Sequence, residues 1–387
     1  MRVRKPQHAR GGRPALACAL LALAAFCLAG CGGAQGAATA PVAVPSPVPP
    51  TVQGVPGPSD TPAPLESPDL ACPQLPVDLP MSPMPAPGSM PAGSTMQQIQ
   101  QRGYLIAGVD QDSYNFGFRN PTPGATASGD EFVGYDIDVL RAIAHAIFGG
   151  SSTDGDIRFV PVSQDFRMGA ANEGVVDLVA DSITVTCDRA LQVGFSADYF
   201  NSGQQLLVDR DNTTADVRLN AQNVPVVTGL KGSKVCTVGT TTSIANILAL
   251  EKQGGFTTVV AGNWSDCLVL LQQGDVQAVT TDATILEGLE AEDPYLRLAG
   301  TAFSVEPHAI AVPASHPASA QDGQFLSFVN GVLAGLENPD SGAWCPETML
   351  SGESCWDALY RVWIGQQPGS SGNATPTPTP PPLDGYP

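Results

Sequence analysis

Between residues 96 and 364, short apolar runs alternate with amphipathic stretches, and proline-rich sequence brackets the whole. The runs Tyr104–Val109, Ile157–Val162, Val175–Ala180, Leu206–Val208, Lys234–Val238, Thr257–Val260, Val276–Thr280 and His308–Val312 have the length and β-branched content of strands. Helices are predicted over Tyr135–Phe148, Gln164–Glu173, Thr242–Gln253, Ser265–Gln273, Ala283–Glu290 and Gln321–Leu336. In the first of these, Ile137, Leu140, Ala144 and Ile147 fall on one stripe. Strand and helix in alternation imply an α/β fold with mainly parallel sheets, and the length suits two domains.

The flanks cannot join that fold. The first 30 residues hold five basic side chains (Arg2, Arg4, Lys5, Arg10 and Arg13), no acid, and an apolar run from Ala15 to Leu28. That run is short for a membrane span and has the length of a signal-peptide core. It ends in Leu28-Ala29-Gly30-Cys31, which resembles the bacterial lipobox, where the leader is cut and Cys31 becomes lipidated. Residues 31–95 are rich in Pro, Ala, Gly, Ser and Thr and read as an extended tether, because they bury too little apolar surface to offset their conformational entropy. Residues 365–387, with Thr-Pro repeats, read as a second disordered stretch.

The formal net charge is −19. Without the leader, 13 basic residues face 37 acidic ones, a charge near −24. That excludes a nucleic-acid partner, whose phosphates need a basic surface, and it excludes lying flat on an anionic bilayer. Of nine cysteines, six lie beyond Cys31: Cys72, Cys187, Cys236, Cys267, Cys345 and Cys355. An even number in an exported chain reads as disulfides. No CxxC pair is present and the four histidines are scattered, so neither a metal nor a cofactor is expected.

Gly134-Tyr135-Asp136-Ile137-Asp138-Val139, followed by Ile143-Ala144 and Ile147, resembles the signature of the family-3 extracellular solute-binding proteins, the amino-acid receptors of ABC importers. Arg167, Gly174, Val175-Val176-Asp177, Ser182-Ile183-Thr184-Val185-Thr186 with Arg189, Phe195-Ser196, Tyr199, Gly239-Thr240-Thr241, the run Gly274 to Asp282, and Glu306-Pro307-His308 follow in family order. Gly108-Val109-Asp110-Gln111, Thr186 to Arg189 and Val235-Cys236 look like the glutamine/glutamate-binding lipoproteins of actinobacteria.

The resemblance implies a two-lobed, type II periplasmic-binding fold with two hinge crossings, at Gln205–Val208 and Glu306–Val312. Lobe 1 would comprise 96–206 plus 306–364 and lobe 2 would comprise 207–305. It also implies a ligand set. Arg189 is expected on the ligand carboxylate, because its planar fork makes a bidentate, charge-assisted pair. The Thr184 hydroxyl and the Ser182 backbone would assist it. Asp282 is expected on the ammonium, although an Asp there also suits a helix N-cap. Thr241, at a strand-to-helix turn, would touch the ligand. Arg167 would meet a side-chain carboxylate or else pair with Asp165 or Glu173. Tyr114 and Phe116 would wall the ligand, Phe118 being equally suited to the core. His308 is expected to be a satisfied interdomain residue. The pairings Cys236–Cys267, Cys345–Cys355 and Cys72–Cys187 are expected, the last stapling the tether beside Arg189.

The expected activity is capture of a free Glu, Asp, Gln or Asn by a monomeric, lipid-anchored receptor outside the membrane. Its partner would be an ABC permease or, on the sensor alternative, a membrane signalling protein. An enzyme of the dehydratase or transglycosylase type on the same fold is the remaining alternative; no Ser–His–Asp or paired-carboxylate spacing stands out in support of it.

Overall fold

The computed structural model describes residues 80–121, 131–150, 154–314 and 320–365. Cys31, Cys72, the leader, most of the expected tether and nearly all of the second proline-rich stretch lie outside these residues. Two five-stranded sheets form the frame. In the first, Leu105–Val109 pairs in parallel with Ile157–Pro161 on one side and Leu178–Ala180 on the other. Ala311–Val312 and Gly194–Phe195 complete it in antiparallel fashion. The second sheet repeats the plan: Lys234–Val238 lies parallel between Thr257–Ala261 and Ala278–Asp282. Gln204–Asp209 then runs antiparallel between Ala278–Asp282 and Leu296–Ala299.

These runs are apolar almost throughout because helices cover both faces of each sheet. The helix Tyr135–Phe148 shows the effect. Asp136, Asp138 and Arg141 are buried along with the expected apolar stripe. Around that stripe pack Met96 and Ile99 of the helix Thr95–Arg102, Phe328 and Val332 of Ala320–Glu337, and Trp356 and Leu359 of Cys355–Trp363. The helix opens at Gly134, whose φ is 133°. A Cβ there would stand 2.0 Å from the Phe116 carbonyl oxygen, so only glycine lets the Asn115–Phe116 backbone pass.

Two features differ from expectation. Gln205–Val208 is no hinge crossing, since it belongs to the second sheet. The strands outside both large sheets, between the lobes, are Phe200–Ser202 and Glu306–His308, paired antiparallel. The expected single strand His308–Val312 is accordingly divided, with Ala311–Val312 returning to the first sheet. Residues 80–94, expected within the tether, pack on the first lobe: the Met81 N–H donates to Ser327 O at 2.7 Å, and Met90 enters the core. Apolar methionines in this otherwise proline-rich stretch account for the difference, because they have surface to bury.

Cys236 is bonded to Cys267, joining a strand of the second sheet to the helix Trp264–Gln272, and Cys345 is bonded to Cys355. Cys187 is also in a disulfide; its expected partner, Cys72, lies outside the described residues. Among the described residues no helix is long and apolar enough to cross a membrane, and no group of three or more His, Cys, Asp or Glu is arranged to hold a metal ion.

Candidate functional site

Polar residues collect at the carboxyl ends of the parallel strands. Asp110 follows Leu105–Val109, and Asp181 and Ser182 follow Leu178–Ala180. Gly239 to Thr241 follow Lys234–Val238, and Asp282 ends its own strand. This edge of an α/β sheet favours ligands, because strand ends and helix starts leave backbone groups unpaired there. The two edges meet. Arg189 of the first lobe donates from Nη1 to Thr184 O at 2.7 Å and from Nη2 to Thr240 O of the second lobe at 3.3 Å.

Arg189 rides on the short helix Cys187–Ala190, where the Thr186 hydroxyl caps the Arg189 N–H at 3.3 Å. Both acceptors of its guanidinium are neutral carbonyls. Burial, with the Arg167 guanidinium nearby, pushes its pKa down to about 9, so it remains a cation at neutral pH. Glu306, Asp282 and Asp181 act on it in the opposite sense, so three carboxylates lie within its electrostatic reach.

Asp282 occupies the N-cap position of the helix Ala283–Glu292, yet its side chain makes no capping bond. Its Oδ2 lies 2.8 Å from His308 Nε2 instead, and both residues are buried. The imidazole sits edge-on to Phe116 and stacks on Phe200, with centroids 6.0 and 5.9 Å apart.

Asp136 pins the Ser182 turn. It accepts from the Ser182 N–H at 2.9 Å and from the Tyr199 hydroxyl at 2.6 Å, holding Ser182 at a φ of 44°, unusual for a residue with a Cβ. Burial raises its pKa and that of Asp110, and raises that of Asp181 well above the ordinary range. Arg167 is buried and donates from Nη1 to Asp181 O at 2.8 Å, with Asp181 Oδ1 at 3.6 Å. Its partner is therefore Asp181, neither Asp165 nor Glu173. The Thr241 hydroxyl donates back to Val238 O at 2.7 Å instead of capping its helix.

The aromatic expectation needs correction. Phe116 is fully buried against Tyr135, Phe200 and His308, so it forms the floor behind His308 and no wall. Tyr114 is exposed and Phe118 half-buried, and their rings meet edge to face at 5.2 Å. The local backbone separates them: Phe116 lies in the turn that Gly134 clasps, and Phe118 lies on Gly117–Arg119, the middle strand of a small three-stranded sheet.

The sequence reading also missed Glu306 as a site residue. It is completely buried on the crossing strand and accepts from Ser304 Oγ at 2.7 Å, Thr242 Oγ1 at 3.0 Å and Asn246 Nδ2 at 3.2 Å. Burial and Asp282 push its pKa up to about 7. Its sequence neighbours identified only a return strand, and two of its donors, Thr242 and Asn246, come from a distant helix of the second lobe.

Residues 105–338 match the bacterial extracellular solute-binding proteins, family 3. The chain is 29% identical to the ABC transporter glutamine-binding protein GlnH of Bacillus subtilis, over 71% of this chain and 86% of that protein. It is 30% identical to a glutamine-binding protein of Geobacillus stearothermophilus, over 56% of this chain and 75% of that one. An ancestral arginine-binding protein bound to arginine superposes with a TM-score of 0.52 at 26% identity, covering 68% of this chain and 99% of that one. The chain belongs to family 3 of the bacterial extracellular solute-binding proteins.

Proposed function

We propose that this family member captures a free polar or acidic amino acid (Glu, Asp, Gln or Asn) outside the membrane and delivers it to an ABC importer. The observation that carries the reading is a cation held only by neutral carbonyls at one lobe edge and a buried carboxylate at the strand end of the other. Arg189, spent only on neutral carbonyls, faces the electrostatic reach of Asp282. A zwitterionic head group needs both its charges resolvated when it leaves water, and one cation with one carboxylate does this. The relatives named above, two of them glutamine-binding proteins, support the substrate class. On this reading Ser182, Thr184 and Thr241 would line the ligand site at these strand ends, and Tyr114 would cover it. Closure around the ligand is the working step, so no bond need be made or broken and no cofactor enters. Lipidation of Cys31 and the residues after it would hold the receptor near its permease, raising its effective concentration there.

A thermal-shift screen of the common amino acids, followed by calorimetry, tests the reading, because a ligand that binds only the native state raises its melting temperature. Stabilisation by Glu, Gln, Asp or Asn is the expected result. A panel in which none of them binds removes it.

A further inference from the structure

Thr240 holds a backbone conformation that its own side chain disfavours. Among the described residues, three that carry a Cβ have positive φ: Ser182, Asn223 and Thr240, at 44°, 55° and 60°. Asp136 holds Ser182 by accepting from its N–H. Asn223 lies in the turn between the strands Asp216–Leu219 and Pro225–Thr228, and asparagine tolerates the left-handed region. Thr240 is the β-branched member of the three, and for such a residue that region is an outlier. Strain of this kind persists where surrounding contacts over-determine it, and it collects at functional sites.

The contacts at Thr240 come from both lobes. Within the second lobe, the Thr240 hydroxyl donates to Gly239 O at 2.6 Å and the Thr241 hydroxyl donates to Val238 O at 2.7 Å. These bonds are local to the turn and do not depend on the first lobe. From the first lobe, Arg189 Nη2 donates to the Thr240 carbonyl at 3.3 Å, while Nη1 donates to Thr184 O. One guanidinium therefore bridges the lobes through two backbone carbonyls. A guanidinium has five N–H groups. Two used in this way leave Nε–H and one N–H on each Nη nitrogen, enough for a bidentate pair with a carboxylate while the Thr240 bond stays. A guanidinium already fixed by a carboxylate also loses less freedom on bonding Thr240.

We propose that Thr240 is a positioning residue: its left-handed backbone turns its carbonyl onto the Arg189 guanidinium when the lobes meet, so that the arginine holding the ligand carboxylate also holds the lobes closed over it. The inference rests on the amino-acid reading above and adds the link from capture to closure. The left-handed turn has its support from the first lobe only while the lobes are together, and it relaxes when they part. The β-branched side chain therefore sets its strain against the closed form and eases release of the ligand.

Thr240→Asn tests it, because asparagine accepts the left-handed region at lower cost and keeps the backbone carbonyl. The probes are L-glutamate, L-glutamine, L-aspartate and L-asparagine, measured by calorimetry. For those that the wild type binds, Kd should fall by about fivefold or more, with the gain in a slower dissociation rate. In Arg189→Lys, whose ammonium lacks the planar fork that spans the lobes, the same substitution should change Kd by less than about twofold. Unchanged or weaker affinity for Thr240→Asn, even with a higher melting temperature, overturns the proposal, since the strain would then be borne equally with the lobes apart. An undiminished gain in the Arg189→Lys background overturns it too, because Thr240 would be acting without Arg189. Either result leaves the amino-acid reading in place. Wild-type protein that binds none of the four overturns that reading, and the proposal with it.

Discussion

His308 Nε2 lies 2.8 Å from Asp282 Oδ2, and this contact joins the crossing strand to the end of a central strand of the second lobe. It keeps the Asp282 side chain off its own helix N-terminus and aims it along the interface between the lobes. An interdomain histidine thus positions the carboxylate expected to meet the ligand.

Replacing His308 with Leu should leave Asp282 buried without this partner. An unsatisfied buried group costs about 1–3 kcal/mol. Chemical denaturation should show a stability loss of that order, and amino-acid affinity should fall about tenfold or more. Unchanged affinity would remove Asp282 from the ligand set.

Arg189→Ala should abolish binding of every amino acid in the panel, since it leaves a desolvated ligand carboxylate unpaired; the expected cost is about 3 kcal/mol or more, on the order of a hundredfold. Arg189→Lys should recover part of it, because an ammonium supplies charge without the planar fork. Thermal-shift titration separates the three proteins.

Arg167→Ala carries two expectations. It should destabilise the fold by about 3 kcal/mol near neutral pH, because Asp181 is buried and loses its cation. It should also weaken Glu and Asp more than Gln and Asn, measured by calorimetry at a temperature where the variant is folded. Equal losses for all four would assign Arg167 to Asp181 alone.

Acid should stabilise the unliganded protein. Burial raises the carboxyl groups of Asp110, Asp136, Asp181 and Glu306 above their ordinary values of 3.8 and 4.5. The native state therefore binds protons more tightly than the unfolded chain, so this contribution is complete below about pH 4 and is lost as pH rises through the folded values, about 7 for Glu306. The melting temperature should be higher at pH 5.5 than at pH 8, and Glu306→Gln should narrow the gap. A profile that rises with pH would contradict the buried assignment.

Gly288 lies where the lobes touch. A Cβ there would stand 3.3 Å from the Tyr114 backbone N and 3.4 Å from the Tyr114 Cβ. Gly288→Leu should wedge the lobes apart, weakening ligand affinity about tenfold or more while leaving each lobe's core intact. Small-angle scattering should then show a larger radius with ligand present than for the wild type.

Much of the fold was legible along the chain. Runs such as Lys234–Val238 and Thr257–Ala261 are β-branched and doubly covered, so local composition marks them without reference to partners. Arg189 and Asp282 were legible as a motif arginine and as an acid at a strand end. Phe116 and Phe118 were not separable, because the turn between Val109 and Gly134 has no period to decide which ring faces inward. Residues 80–94 looked like tether because proline content outweighed three methionines in the reading. In the structure those methionines find the helix Ala320–Glu337 and its surroundings to pack against.

The sequence by itself determined the order of strands and helices, the glycine needed at residue 134, and the placing of charged residues where strands end. Only the tertiary structure decided which of those residues meet. Glu306 gains Thr242 and Asn246, Asp282 gains His308, and Arg167 gains Asp181 only when separate sheet edges are brought together. The direction of each hydrogen bond is fixed by those partners. A hydroxyl can donate or accept, and nothing local to Thr242 selects between them until the Glu306 carboxylate is buried beside it.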